Sequence, residues 1–144
     1  MRELGLLEQT ETMRALIVDD SAAARAQARG ALDQAFGGYG AEVSIDEAGG
    51  GVEAMRVLTS SDVDLLLVDL HMPGIHGLDV LSFWSERLGR RDGQAIIMST
   101  QVSAADRARA LQRHAVAGFV EKPVTIDALR AVVGGFLARD RSRA

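Results

Sequence analysis

Short apolar runs and amphipathic helical patterns alternate along this chain, and the alternation limits its fold more than any other feature. Runs of strand length fall at residues 14–18 (RALIV), 43–48 (VSIDEA), 64–68 (DLLLV), 95–99 (AIIMS) and 117–120 (AGFV). Between them, apolar residues return at helical spacing. Ser21 stands where a helix cap would, ahead of Ala24, Ala28, Ala31, Leu32, Ala35 and Phe36, and GGYG stops that pattern. A second helix around 52–58 follows the triple glycine, and a third covers 78–88. Ser103 and Asp106 form a capping box for a fourth. Thr125 caps a fifth, whose Ile126, Leu129, Val132, Val133, Phe136 and Leu137 face inward.

Five strands alternating with five helices predict an α/β fold with a parallel sheet covered on both faces, because right-handed crossovers put helices on either side. That is the doubly wound architecture. A chain of 144 residues, 47% hydrophobic and 25% charged, suits one globular domain with its own core. No internal repeat or linker divides it. Residues 1–12 read as an N-terminal extension and 139–144 as a tail, leaving 13–138 as the domain.

The same numbers exclude several functions. A net charge of -4 speaks against nucleic acid as the main partner, since phosphate backbones are bound by clustered Lys and Arg. Cysteine is absent, which removes disulfides and thiolate zinc sites and fits a reducing, cytoplasmic compartment. The opening MRELGLLEQTETM lacks the apolar core of a signal peptide, and no run approaches the length of a membrane span.

In doubly wound sheets, ligands bind outside the carboxyl ends of the strands, near the reversal of strand order. The first strand ends in Asp19 and Asp20, the third in Asp69, the fourth runs into Ser99 and Thr100, and Glu121 and Lys122 follow the fifth. All map to one rim. Crowding three carboxylates together is costly unless a cation neutralises them, and hard oxygen donors suit Mg2+ better than zinc. Lys122 adds a positive donor and a hydroxyl completes a cradle for a phosphoryl group. The bland readings are helix capping for the aspartate pair and a solvated surface lysine. His71 and His76 sit on a turn with poor spacing for a metal pair, and His76 is expected to be solvated. His114 reads as a surface residue; Trp84 and the methionines read as packing.

At these residues the chain closely resembles the receiver domain of two-component response regulators. The matching pieces are VDDS at 18–21, VDLHMPG at 68–74, the hydroxyl position in IIMST at 96–100 and GFVEKP at 118–123. Each motif is weak alone; four in order on the right strand ends are specific. With no output domain in the chain, the likeness is to the single-domain kind, as in chemotaxis response regulators. The resemblance implies a flavodoxin-like sheet of order 2-1-3-4-5, with Asp69 as the nucleophile and modified residue that takes a phosphoryl group from a histidine kinase or phosphotransfer protein. It further implies that Asp19, Asp20, Asp69 and the carbonyl of His71 hold Mg2+. Lys122 and Thr100 would contact phosphoryl oxygens. Thr100 is preferred to Ser99 because the family hydroxyl directly follows the strand and Ser99 should point to the opposite face.

Phe119 matches the family's aromatic switch but lacks a tyrosine hydroxyl, so it would act by packing alone. Pro123 matches the residue that follows the lysine through a cis peptide. The output surface toward a downstream protein would be the fourth helix, fifth strand and fifth helix, which include Arg107, Arg109, Arg113 and Arg130. Gln101 replaces a small residue at the mouth of the pocket and would narrow access to Asp69. Two alternatives remain. A haloacid-type phosphatase would need a second aspartate two residues after the nucleophile, where this chain has His71. A degenerate receiver would have lost the acidic pair, the acceptor or the lysine, and none is lost.

Overall fold

The computed structural model describes residues 12–37, 42–88, 93–112 and 116–142. Its elements are β1 (Thr12–Val18), α1 (Ala22–Gly37), β2 (Glu42–Ala48), α2 (Gly51–Ser60), β3 (Leu65–Asp69), α3 (Gly77–Ser82) with a π-helical turn (Phe83–Arg87), β4 (Gln94–Ser99), α4 (Ala104–Leu111), β5 (Val116–Glu121) and α5 (Ile126–Ser142). The strands are all parallel, in the order β2-β1-β3-β4-β5. This is the predicted order, and it reverses between β1 and β3.

Successive side chains of a strand point to opposite faces, so each central strand feeds two cores. Leu16, Val18, Leu66, Val68 and Ile97 pack with α2, α3 and α4, for example against Leu58, Leu81 and Ala110. Ala15, Ile17, Leu65, Leu67 and Ile96 pack under α1 and α5, against Leu32, Phe36, Leu129 and Val133. Coverage on both sides explains the unbroken LLLV of β3: every residue of that strand is buried. Truncating one such residue, as in Leu67→Ala, costs roughly 2–5 kcal/mol. β2, at the sheet edge, alternates instead between exposed and partly buried residues.

Two caps follow the sequence expectation. Ser21 Oγ accepts from the Ala24 amide at 3.2 Å, and Thr125 Oγ from that of Ala128 at 3.1 Å. The third helix differs from it. Only Gly77–Ser82 is α-helical, and the Leu88 amide then reaches the Phe83 carbonyl, five residues back. The wider turn accompanies Trp84, 1% exposed, whose ring fills the space that a side chain at Gly93 would need. α5 runs on to Ser142, into the segment expected to be a tail. Phe136 and Leu137 lie beyond the side chains described, and Arg113 and His114 lie outside the described residues.

Candidate functional site

The site forms where β1 and β3 end side by side. Asp19 is one residue past the last β1–β3 pair, Val18↔Val68, and its amide donates to the Ala48 carbonyl. Its side chain is completely buried, and Oδ1 accepts from the Ser21 amide at 2.9 Å, fixing the turn into α1. Asp69 is the last residue of β3 and 5% exposed; its Oδ1 accepts from the His71 amide at 3.3 Å. Beyond it, Pro73 and Gly74, whose φ is +83°, turn the chain toward α3.

Lys122 follows β5, anchored by its amide to the Ser99 carbonyl at 2.9 Å, and its peptide bond to Pro123 is cis. Its ammonium lies 2.5 Å from Asp19 Oδ2 and 3.2 Å from Asp69 Oδ2. Asp19 Oδ2 is buried and, despite that proximity, has no aligned hydrogen-bond donor among the described residues. The contact is an ion pair of charge with charge. One ammonium thus faces three carboxylates, because the exposed Asp20 joins Asp19 and Asp69 in a cluster whose oxygens lie within 4.8 Å of one another.

Burial pushes the Asp69 carboxyl above its usual range; the Lys122 charge opposes this without cancelling it, and the Asp19 charge adds to it. For Lys122, burial would lower the pKa, but the contacts and charges of Asp19 and Asp69 outweigh it and the net shift is upward. The lysine is therefore held charged. Three carboxylates against one ammonium leave excess negative charge, and two of the three are buried. Hard oxygen donors with those properties fit a divalent cation such as Mg2+.

Asp19, Asp20, Asp69, Lys122 and the His71 amide thus come together. Thr100 and Phe119 stand outside that set of contacts. Thr100 is exposed directly after β4, whereas Ser99 is fully buried, its hydroxyl donating to the Gln101 carbonyl at 2.9 Å and accepting from the Gln101 amide at 3.2 Å. Phe119 is half-buried under the Arg107 guanidinium, 4.2 Å from the ring centre. Phe119 and Arg107 help to line a cavity of about 240 Å³ with Gln101 and Glu121.

Other residues escaped the sequence reading. His76 is not simply solvated: its Nδ1 accepts from the Leu78 amide at 3.1 Å and caps α3. Asp106, with the Ser103 hydroxyl on its amide as expected, sends its carboxylate to His71 Nε2 at 3.5 Å and to Arg109 at 3.2 Å. Arg25 and Glu47 meet at the same rim. Sorting β2 by its carboxyl end, as the other strands were sorted, would have found Glu47.

A doubly wound parallel sheet with a carboxylate and lysine cluster at its topological switch point defines the class. The sequence profile of the response regulator receiver domain matches residues 15–134, and the chain belongs to that family of two-component signalling proteins. It is 31% identical over 125 residues to the autoinducer 1 sensor kinase/phosphatase LuxN of Vibrio campbellii, covering 87% of this chain and 14% of that protein. It is 31% identical over 129 residues to the response regulator MprA of Mycobacterium avium, covering 90% of this chain and 53% of that protein. The chain therefore spans only part of each. Among solved structures, chemotaxis protein CheY4 of Vibrio cholerae is similar in fold, with a TM-score of 0.74 and 21% identity over 88% of this chain and 99% of that one. A CheY-like receiver domain of Methanospirillum hungatei gives 0.73 and 22% over 93% and 100%. Receiver domains are signalling proteins rather than classical enzymes, and they interact with histidine kinases. Among the described residues no helix is long and apolar enough to cross a membrane.

Proposed function

We propose that this receiver accepts a phosphoryl group on Asp69 from a histidine kinase or phosphotransfer protein and passes the change to a docking surface for a downstream protein. The observation that carries the proposal is the Lys122 ammonium set between Asp19 Oδ2 and Asp69 Oδ2. A nucleophilic carboxylate needs its charge held in place, and the incoming phosphoryl oxygens need a cation to meet them.

In this reading an Asp69 oxygen attacks phosphorus, a P–O bond forms as the P–N bond to the donor histidine breaks, and the imidazole leaves. Asp19, Asp20, Asp69 and the His71 carbonyl would hold Mg2+. Bound there, Mg2+ supplies charge neutralisation between the carboxylates and the phosphoryl oxygens. Lys122 pairs with one phosphoryl oxygen and Thr100 donates its hydroxyl to another. Drawing Thr100 toward Asp69 alters the packing of Phe119, and with it α4, β5 and α5, the proposed output surface. Self-catalysed loss of the phosphoryl group would reset the protein. The receiver unit would span 13–138 and act in the cytoplasm, with neither nucleic acid nor membrane as partner.

Beryllofluoride with Mg2+, followed by amide NMR, tests this reading. Saturable shifts around Asp19, Asp69 and Lys122, spreading to α4 and β5, are expected. A receiver that docks without phosphorylation would bind nothing and show none.

A further inference from the structure

We infer that Arg25 is a positioning residue for the carboxylate cluster, with Glu47 as its anchor. This rests on the cation-binding reading above. Arg25 lies in the first turns of α1, where its amide bonds to the Ser21 carbonyl, so its side chain points back toward the end of β1. There Nη1 donates to the backbone carbonyl of Asp19 at 2.6 Å. That carbonyl is one residue beyond the β1–β3 ladder, and the guanidinium satisfies it in place of a strand neighbour.

The surroundings are arranged for this guanidinium. Its Nε donates to Glu47 Oε1 at 2.9 Å, while the other Glu47 oxygen takes Arg29 Nε at 2.7 Å. Arg29 is itself tied to the Ile45 carbonyl at 2.8 Å. The hydrogen bond from Arg29, with Arg25 adding to it, holds the Glu47 carboxyl below its usual range, so it stays an anion. Gly49 lies alongside the guanidinium, where a Cβ would make ordinary contact with Arg25 Nη1 at 3.4 Å. Its amide is held in turn by Glu53 Oε1 at 2.7 Å.

The consequence for the cluster follows from peptide geometry. The Asp19 carbonyl and the Asp20 amide share one rigid plane, so fixing the carbonyl fixes the direction in which Asp20 leaves it. Asp20 is the exposed member of the cluster, while Asp19 and Asp69 are buried. Arg25 therefore fixes the Cα from which the third carboxylate reaches the cluster. Its own charge works against cation binding, and this gives the inference a sign: a plain neighbouring cation would weaken Mg2+ binding, whereas a positioning residue strengthens it.

The test is calorimetric titration with Mg2+ alone, paired with the melting temperature with and without Mg2+, for wild type, Arg25→Ala, Arg25→Lys and Glu47→Gln. Partners that orient metal ligands typically contribute 10–100-fold in affinity, so Arg25→Ala should bind Mg2+ about 10-fold more weakly. Arg25→Lys should fall between, since an ammonium keeps the charge but lacks the fork that serves Asp19 and Glu47 together. The metal-free melting temperature separates this effect from a loss of folding. Arg25→Ala binding as tightly as wild type, or more tightly, would overturn the inference. If that variant does not fold, wild-type affinity in both Arg25→Lys and Glu47→Gln overturns it. Absence of Mg2+ binding by wild type would overturn the cation-binding reading itself, and the inference with it.

Discussion

No side chain fits between Gly77 and Asp69. A Cβ built at Gly77 would overlap the Asp69 carbonyl oxygen and come within 2.8 Å of Leu70 Cα. The Gly77 amide donates to the Leu70 carbonyl at 2.8 Å, so the start of α3 is pressed against the strand end that carries Asp69. Both clashing atoms are backbone and cannot swing aside. Gly77→Ala should destabilise the fold by about 1–3 kcal/mol and slow phosphorylation of Asp69. Thermal melting and an acetyl phosphate time course check both effects; an unchanged melting temperature would show that the turn yields freely.

The raised pKa of Asp69 has a pH signature. A carboxyl raised in the folded state binds its proton more tightly there than in the unfolded chain. Its contribution to stability is present below the unfolded pKa and is lost as pH rises through the folded one. Asp69→Asn, which needs no ionisation, should therefore melt higher than wild type at neutral pH. The gain should be a few degrees, at roughly 2–4 °C per kcal/mol, and should shrink as the pH is lowered through that range. Lys122 acts at the other end of the scale. Raised as well, it stabilises below its ordinary pKa, and that contribution is lost as pH climbs through the folded value.

His71 touches both Asp69 and α4. Its amide bonds to Asp69 Oδ1 and its ring meets the nearly buried carboxylate of Asp106. A half-exposed contact of this kind is worth about 0.5 kcal/mol, enough to alter a response without unfolding anything. Asp106→Ala should leave the beryllofluoride shifts around Asp69 in place and reduce those of the α4 amides. A full α4 response in the variant would show that the signal travels another way.

Gln101 offers a kinetic test. Its backbone is held on both sides by the Ser99 hydroxyl, and the residue lines the cavity beside Phe119 and Arg107. If its side chain also narrows the approach to Asp69, Gln101→Ala should be phosphorylated faster by acetyl phosphate at fixed Mg2+. An equal or slower rate would remove the gating role.

How far the sequence could be read varied with the physical signal. Asp19, Asp20, Asp69 and Lys122 were legible because a charge at the end of an apolar strand has few bland explanations. Glu47 also stands at a strand end, but it is half-buried in an edge strand in phase with Val43 and Ile45, and its partners Arg25 and Arg29 come from α1, which no local pattern reveals. Arg25 looked like any exposed helix residue, and only the fold shows that its turn of α1 faces the rim. His76 gave no cap signal because caps are usually Ser, Thr, Asp or Asn. The π-helical turn at Phe83–Arg87 depends on where Trp84 finds room, beside Gly93, which no local pattern reveals. Arg107 and Arg109 lie on the exposed face of α4 assigned to the output surface, and the contacts they make there, Arg107 on the Phe119 ring and Arg109 with Asp106, have no sequence signal of their own.

The most direct test of the central claim is intact-protein mass spectrometry after incubation with a small phosphodonor and Mg2+, on wild type and Asp69→Asn side by side. A single phosphoryl group is predicted on wild type, lost on treatment with hydroxylamine as an acyl phosphate should be, and none on the variant. A phosphoryl group retained by Asp69→Asn would contradict the assignment of Asp69 as the acceptor.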